Sequence, residues 1–297
     1  MSAAYSNAPA GARLRQWWEL LDYKRRSVSR MAGVKYRSFE RIHDALVGAL
    51  GRPLAGARIV EIGCGQWLAN VELLAAHGAQ VTGIDPELPP RSAGDYLRCA
   101  RTLGVERATK SLATGLLRPP FARQLRGMGS LDRARVEPRL ARGVAEALPV
   151  AAASCDAAIS DNVFELLPDV EGATRELARV LRPGGVAVIV IHPITAFSGG
   201  HHPATFHHGD DASWEPRVRP WDHLHADGAP VGVFLNRLRP RDYRAIFDAH
   251  LEVIRWTVLR EGARFLTADV RRALPGFDDD ELTSGKIVAV ARRAEAR

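Results

Sequence analysis

ARIVEIGCGQWLANVELLAAHGAQVTGID, residues 57–85, decides the fold of this chain. An apolar, β-branched run (Ile59, Val60, Ile62) ends in Gly63-Cys64-Gly65, and a helix-like segment follows with Leu68, Val71, Leu73 and Leu74. A second short strand then closes on Asp85, twenty positions after Gly65. This is the opening of a nucleotide-binding βαβ unit. Glycines let the backbone turn sharply and come close to a ligand. The helix N-terminus presents unpaired N–H groups. A carboxylate at the tip of the second strand has two oxygens with which to accept both hydroxyls of a ribose.

The dinucleotide fingerprint G-x-G-x-x-G requires a third glycine at position 68, where Leu68 stands. Glu61 precedes the first glycine by two residues. Glu61-x-Gly63-x-Gly65 resembles motif I of the class I S-adenosylmethionine-dependent methyltransferases, E/D-x-G-x-G-x-G. Three later segments are similar to that family in the same order. Ala145-Glu146-Ala147-Leu148-Pro149 looks like the adenine-side segment after strand three, and Cys155 to Asn162 like strand four with motif IV. Leu177-Ala178-Arg179-Val180-Leu181-Arg182-Pro183-Gly184-Gly185 resembles the helix-to-strand-five turn.

The resemblance implies an α/β fold: a Rossmann-like seven-stranded methyltransferase sheet with its last strand antiparallel. It implies S-adenosyl-L-methionine as cofactor. Glu61, Gly63, Cys64 and Gly65 would face its methionine portion, Asp85 its ribose, and Ala145 with Glu146 its adenine. Asp161 and Asn162 would line the floor where cofactor and acceptor meet, and Tyr36 is a further candidate at the methionine end. Other readings stand beside these. Val144 and Ala145 suit ordinary strand-end packing, Asp161 a turn acid capping the next helix, and Cys64 a small packing residue. The chain departs from the family at Trp67, which replaces the third glycine of motif I, and at Val144, where an acid is common. The indole must point away from the cofactor, or the loop must be wider than usual.

Outside this core, the pattern predicts an N-terminal helical cap over 1–55, with helical spacing in Leu14, Trp17, Trp18, Leu21 and again in Phe39, Ile42, Leu46, Leu50. Residues 56–297 read as the cofactor domain. Strands are expected near 57–62, 79–84, 139–144, 156–161, 186–192, 251–259 and 286–291, the last two forming the antiparallel hairpin that the resemblance implies. Asp169 is the expected N-cap of a helix over about 170–181, with Gly184-Gly185 as its exit. The stretch PRDYRAIFDAH, with Pro240 near its start, is the next helix. Two lid-like insertions, about 87–137 and 193–238, exceed the minimal fold. Pro119-Pro120 and Gly127 are expected breaks in the first.

Composition bounds the possibilities. With 297 residues and 46% hydrophobic content, the chain can bury a sizeable core. No apolar run approaches the roughly 20 residues that span a bilayer. The first residues lack the basic and apolar regions of a secretory signal. Three widely spaced cysteines argue against a disulfide framework or a zinc ribbon, and a cytoplasmic location is expected. Net charge is +7, yet residues 91–142 alone hold twelve basic side chains against four acidic ones, a net of +8. That segment suits an anionic substrate, an acidic carrier protein or RNA, or else a solvated helical surface.

Seven of the ten histidines lie between positions 192 and 225. Histidine takes a proton near neutral pH with little tuning. His201 and His202, beside Gly199-Gly200, and then His192 at the tip of strand five, are the candidate bases; the glycines permit a hinge or close approach. Structural hydrogen bonding and metal binding are the competing readings. The spacing of His201, His202, His207 and His208 is not a standard ligand pattern, so no metal ligand is assigned.

The leading expectation is methyl transfer to O or N of a small molecule in specialised metabolism, anionic acceptors included. The second is RNA methylation through the basic segment; against it, Ser160-Asp161-Asn162-Val163-Phe164 lacks the Asn/Asp-Pro-Pro-aromatic signature of base N-methylating enzymes. A non-catalytic cofactor-binding protein is the third.

Overall fold

A computed structural model describes residues 28–129, 131, 137–201, 205, 218–228 and 233–295. The expected helix around Trp17 and Trp18, together with His202, His207, His208 and Trp214, lies outside the described residues.

The elements run in the order α1 (Val28–Leu50), β1 (Arg58–Ile62), α2 (Ala69–Ala76), β2 (Gln80–Ile84), α3 (Ala93–Leu103), α4 (Val105–Met128), β3 (Arg139–Ala141) and β4 (Cys155–Asp161). Then come α5 (Val170–Val180), β5 (Leu181–Ile191), α6 (Pro240–His250), β6 (Glu252–Arg260), α7 (Ala268–Ala273), α8 (Asp279–Thr283) and β7 (Ser284–Arg292). Seven strands form one sheet in the order β3-β2-β1-β4-β5-β7-β6. β7 pairs antiparallel with β5 and β6, while the strands from β3 to β5 pair parallel. The expected Rossmann-like methyltransferase sheet with its antiparallel last strand is therefore present. Parallel neighbours joined through helices leave the C-terminal tips of β1, β2, β4 and β5 on one edge, where such sheets bind ligands.

Alternation along the strands separates two cores. Ile59, Ala157, Ile159, Val186, Val188, Val288 and Val290 pack under α1, α2 and α4, together with Phe39, Ile42, Leu46, Phe121 and Leu125. Val60, Ile62, Ala158, Ala187, Ile189, Ile287 and Ala289 pack against α5 and α6 through Leu177, Tyr243 and Phe247. A third, smaller core joins the second insertion to the segment between β6 and β7: Phe197, Trp221, Leu266, Leu274 and Leu282. Trp221 is fully buried, and its Nε1 donates to the carbonyls of Thr195 (3.1 Å) and Leu282 (3.0 Å).

Two local expectations are corrected. Pro119 and Pro120 lie inside α4 and do not break it. Proline's φ is compatible with a helix; its cost is a lost hydrogen bond in the preceding turn, and the burial of Phe121, Ala122 and Leu125 one turn later carries the helix through. Gly184 and Gly185 are not the exit of α5, whose last residue is Val180. They sit in β5, where the pairing with β4 shifts between Cys155 and Ala157. Gly184 takes a φ of +71° there, and its N–H donates to Arg293 O. Asp169 caps α5 as expected, accepting the Gly172 N–H at 2.8 Å.

Candidate active site

Gly63 and Cys64 both donate their N–H to Ile84 O, which ties the loop after β1 to the end of β2. Gly63 has φ +75°, and a Cβ built on it would lie 2.3 Å from a methyl of Val163. The motif IV segment thus rests directly on the glycine loop. Gly65 has φ +59° and open space within 4 Å of its would-be Cβ. Its N–H donates to Asp85 Oδ2 at 3.0 Å, and Glu87 N–H donates to the other oxygen at 2.7 Å. Asp85 is therefore oriented at the tip of β2 beside the open glycine. Trp67 packs against the first core: its ring lies 4.8 Å from Phe121 of α4, and Gln66 next to it donates to Ser111 Oγ. Cys64 is buried, and burial pushes its thiol up, so it acts as a packing residue here.

Glu61 is buried on the α1 side of β1. Its Oε1 accepts from Asn70 Nδ2 at 2.9 Å, while Oε2 has no partner. Burial, which the Asn70 hydrogen bond only partly offsets, raises its carboxyl to about 7. Asp161, on the same face at the tip of β4, accepts from Lys35 Nζ (3.1 Å), Ser38 Oγ (3.3 Å) and Asn162 Nδ2 (2.8 Å). Burial opposes its charge, but Lys35 and Lys286 outweigh burial and hold it below the ordinary range. Asn162 occupies the left-handed region at φ +56°, which asparagine tolerates, and its Oδ1 is buried without a partner.

Beyond Asn162 a single 3₁₀ turn, Phe164–Leu166, places Glu165 in the interior. Glu165 is 1% exposed, and neither carboxylate oxygen completes a hydrogen bond. Burial raises it to about 8, against smaller opposing effects of the nearby Glu165 and His192 backbone N–H groups. His192 follows β5 and is buried; its Nε2 lies 2.9 Å from Ser198 Oγ, which donates to Glu261 Oε1 at 2.8 Å. The His201 ring lies tilted against that of His192, with centroids 5.0 Å apart, and His201 has φ +53° and a buried, unpartnered Nε2. Burial, with His192 and Lys286 nearby, lowers His201 to about 3. One ligand-type atom from each of Glu165, His192 and His201 falls within 4.8 Å of the others. Burial lowers Lys286 of β7, against the opposing charges of Asp161, Glu165 and Glu261 nearby.

The chain therefore brings Glu61, the glycine loop, Asp85, Asp161, Asn162, His192 and His201 to one edge of the sheet. Ala145 is buried in the α5-side core and Glu146 is half-buried on the segment after β3. The Tyr36 hydroxyl lies 2.9 Å from the would-be Cβ of Gly129, at the end of α4. Gly199 and Gly200 serve close approach. A Cβ on Gly199 would meet the Pro193 carbonyl at 2.4 Å, and one on Gly200 would meet His223 at 2.6 Å. In the basic segment, Arg98, Lys110 and Arg126 pair with Asp95, Glu106 and Glu72, and Arg107 pairs with Glu87.

Lys35, Ser38, Glu165, Ser198, Glu261 and Lys286 were not anticipated. The one sequence signal was a charge inside or at the head of an apolar run, as in Phe164-Glu165-Leu166 and Lys286-Ile287-Val288.

Residues 98–189, from α3 through most of β5, match the family model of a methyltransferase domain. No curated protein sequence matches the chain. Among solved structures, an S-adenosylmethionine-dependent methyltransferase from Mesorhizobium loti is 18% identical with a TM-score of 0.46, over 84% of this chain and 98% of that one. One from Methanosarcina mazei is 16% identical with a TM-score of 0.45, over 82% and 94%. The [4+2]-cyclase SpnF is 16% identical with a TM-score of 0.48, over 86% and 81%. The fold assignment stands on strand order and register, independently of these likenesses.

Proposed function

We propose that this chain, which carries a class I S-adenosylmethionine-dependent methyltransferase domain, transfers the donor's methyl group to an oxygen or nitrogen of a small molecule. The observation that carries the reading is the adjacency of two sites. An open glycine loop with an oriented Asp85 lies beside a cluster of polar groups, of which Asp161, Glu165 and His192 are buried and Asn162 and His201 half-buried.

The residues present fit the donor. Gly65 leaves room for close approach, Asp85 offers two carboxylate oxygens for the ribose, and Ala145 with Glu146 would border the adenine. The orphaned Oε2 of Glu61 is an acceptor suited to the α-ammonium of the methionine end. When bound, S-adenosylmethionine supplies a methyl group already activated by its sulfonium. The protein's work is then to aim the acceptor atom, exclude water and receive a proton.

Asp161 and Asn162 would form the floor beneath the acceptor. His192 is oriented through Ser198 by Glu261, an arrangement that steadies an imidazole for proton transfer. His201 and His202 complete the set of candidate bases, His202 lying outside the described residues. Arg107 and Arg126 of the basic segment pair with acids outside it, Glu87 and Glu72, so the segment offers less free charge than its net of +8 implies. That favours a small acceptor, anionic ones included, over RNA. A cytoplasmic location agrees with three free thiols.

The test is methyl transfer from donor labelled in the methyl group, supplied with small-molecule and RNA fractions separately. Label entering the small-molecule fraction supports the reading. Label confined to RNA, or no measurable donor binding by calorimetry, overturns it. His201→Ala and His202→Ala should lower turnover more than donor affinity. Full activity in both would remove these two side chains from the mechanism.

A further inference from the structure

We propose that Glu165, His192 and His201 form a binding site for one divalent transition-metal cation, zinc-like in preference, at the tips of β4 and β5. Two imidazoles and one carboxylate are a donor set that suits zinc and its neighbours in the first transition row. The donors come from three separate places: the 3₁₀ turn after β4, the end of β5, and the second insertion. Their ligand atoms lie within 4.8 Å of one another. Bond lengths of about 2.0–2.2 Å put ligands on a shared ion roughly 3–4 Å apart, so small side-chain adjustments complete the site.

Three further observations point to a ligand. Both Glu165 oxygens and His201 Nε2 are buried and without a hydrogen-bond partner. Leaving such atoms unpaired is costly to the fold, and a single cation satisfies them together. Ser198 has one hydroxyl proton, which it gives to Glu261 at 2.8 Å. It therefore accepts from His192 Nε2–H at 2.9 Å, and the lone pair of Nδ1 is left free. A carboxylate that fixes an imidazole from behind is the usual outer support of a metal-ligating histidine. His201 is held in the left-handed region at φ +53°, a strained conformation that tends to gather at functional sites.

The nearby ammoniums do not fill this role. Lys35 is committed to Asp161, and Lys286 makes no hydrogen bond to Glu165 among the described residues. Asp161 and Glu261 supply negative charge against these two lysines, leaving Glu165 for the cation. The part this ion would play rests on the methyl-transfer reading: it would grip the acceptor's oxygen or nitrogen and make it more acidic. The three side chains would then act as ligands, with no imidazole needed as base. Metal binding itself does not depend on that reading.

The experiment uses the full chain, stripped with a chelator. Zn²⁺ is titrated calorimetrically, and Co²⁺ is followed by its visible d–d absorption. About one equivalent is expected, with Glu165→Gln and His201→Ala each weakening binding at least tenfold and Glu261→Gln weakening it by about tenfold. Asp85→Ala should bind metal like the parent while losing donor affinity, which separates failure of this site from failure of the methyl-transfer reading. Retention of parent affinity in both Glu165→Gln and His201→Ala places the ion elsewhere and overturns the proposal. Absence of a visible Co²⁺ band on the folded parent chain overturns it whatever the variants do.

Discussion

Lys35 Nζ stands 3.1 Å from Asp161 Oδ2, joining α1 to the tip of β4 across 126 residues of chain. Asp161 is almost wholly enclosed, whereas the Lys35 side chain is 38% exposed. The pair fixes the helix over the edge of the sheet where the candidate site lies. Lys35→Met leaves Asp161 with Ser38 and Asn162 as donors, and should cost about 1–3 kcal/mol after allowance for solvent screening of the lysine. Asp161 is held below the ordinary aspartate range, so its stabilising charge is present above that range and lost as pH falls through its folded value. The gap between parent and variant, measured by urea unfolding, should therefore be wide at neutral pH and narrow in acid. A gap independent of pH contradicts this account.

Glu61 has the opposite sign. Burial raises it from an ordinary 4.5 to about 7, so the fold favours the protonated carboxyl. That contribution is complete below the ordinary value and disappears as pH climbs through 7. Glu61→Gln should flatten the dependence and gain roughly 2–3 kcal/mol over the parent at pH 8 relative to pH 5. Unfolding curves that run parallel across this window rule the mechanism out. The same variant should bind the donor about tenfold more weakly, since the amide carries no charge for an ammonium.

Asp85→Ala should weaken donor binding by about ten- to a hundredfold, because the ribose hydroxyls lose their acceptor. Calorimetry decides it: an unchanged dissociation constant removes Asp85 from the site.

The two loop glycines should behave differently. Gly63→Ala meets both positive φ and the methyls of Val163 at 2.3 and 2.9 Å, and is expected to cost about 2–4 kcal/mol. Adding Val163→Ala should recover the steric part only. Gly65→Ala meets open space and should cost about 1–2 kcal/mol, the penalty of φ alone. Equal losses in the two single variants would show that Val163 is not what Gly63 accommodates.

Trp67→Gly restores the family pattern of motif I yet removes a ring packed on Phe121. We expect a stability loss of about 2–4 kcal/mol with donor affinity changed less than roughly threefold. Markedly tighter donor binding in the variant would mean that the indole intrudes on the cleft.

The strands around Ile59, Ile159, Val188 and Val288 were legible because burial on both faces forces continuous apolar runs. The turn at Gly63–Gly65 was legible because few residues accept its backbone angles. Pro119-Pro120 misled because a local penalty was weighed without the burial of Phe121 and Leu125 that offsets it. Glu165 was missed because a lone glutamate between two apolar residues reads equally well as a solvated turn.

The sequence by itself determined the order of strands and helices, the glycine loop with its acid twenty residues on, and the concentration of histidines after β5. These follow from periodicity and turn chemistry, which act over a few residues at a time. Only the tertiary structure decided that Lys35 serves Asp161, that Trp67 turns toward Phe121, and that Glu165 meets His192 and His201. Such meetings depend on register and packing between distant segments. The same side chain is a solvated ion or a buried, partner-seeking one according to what the fold sets beside it.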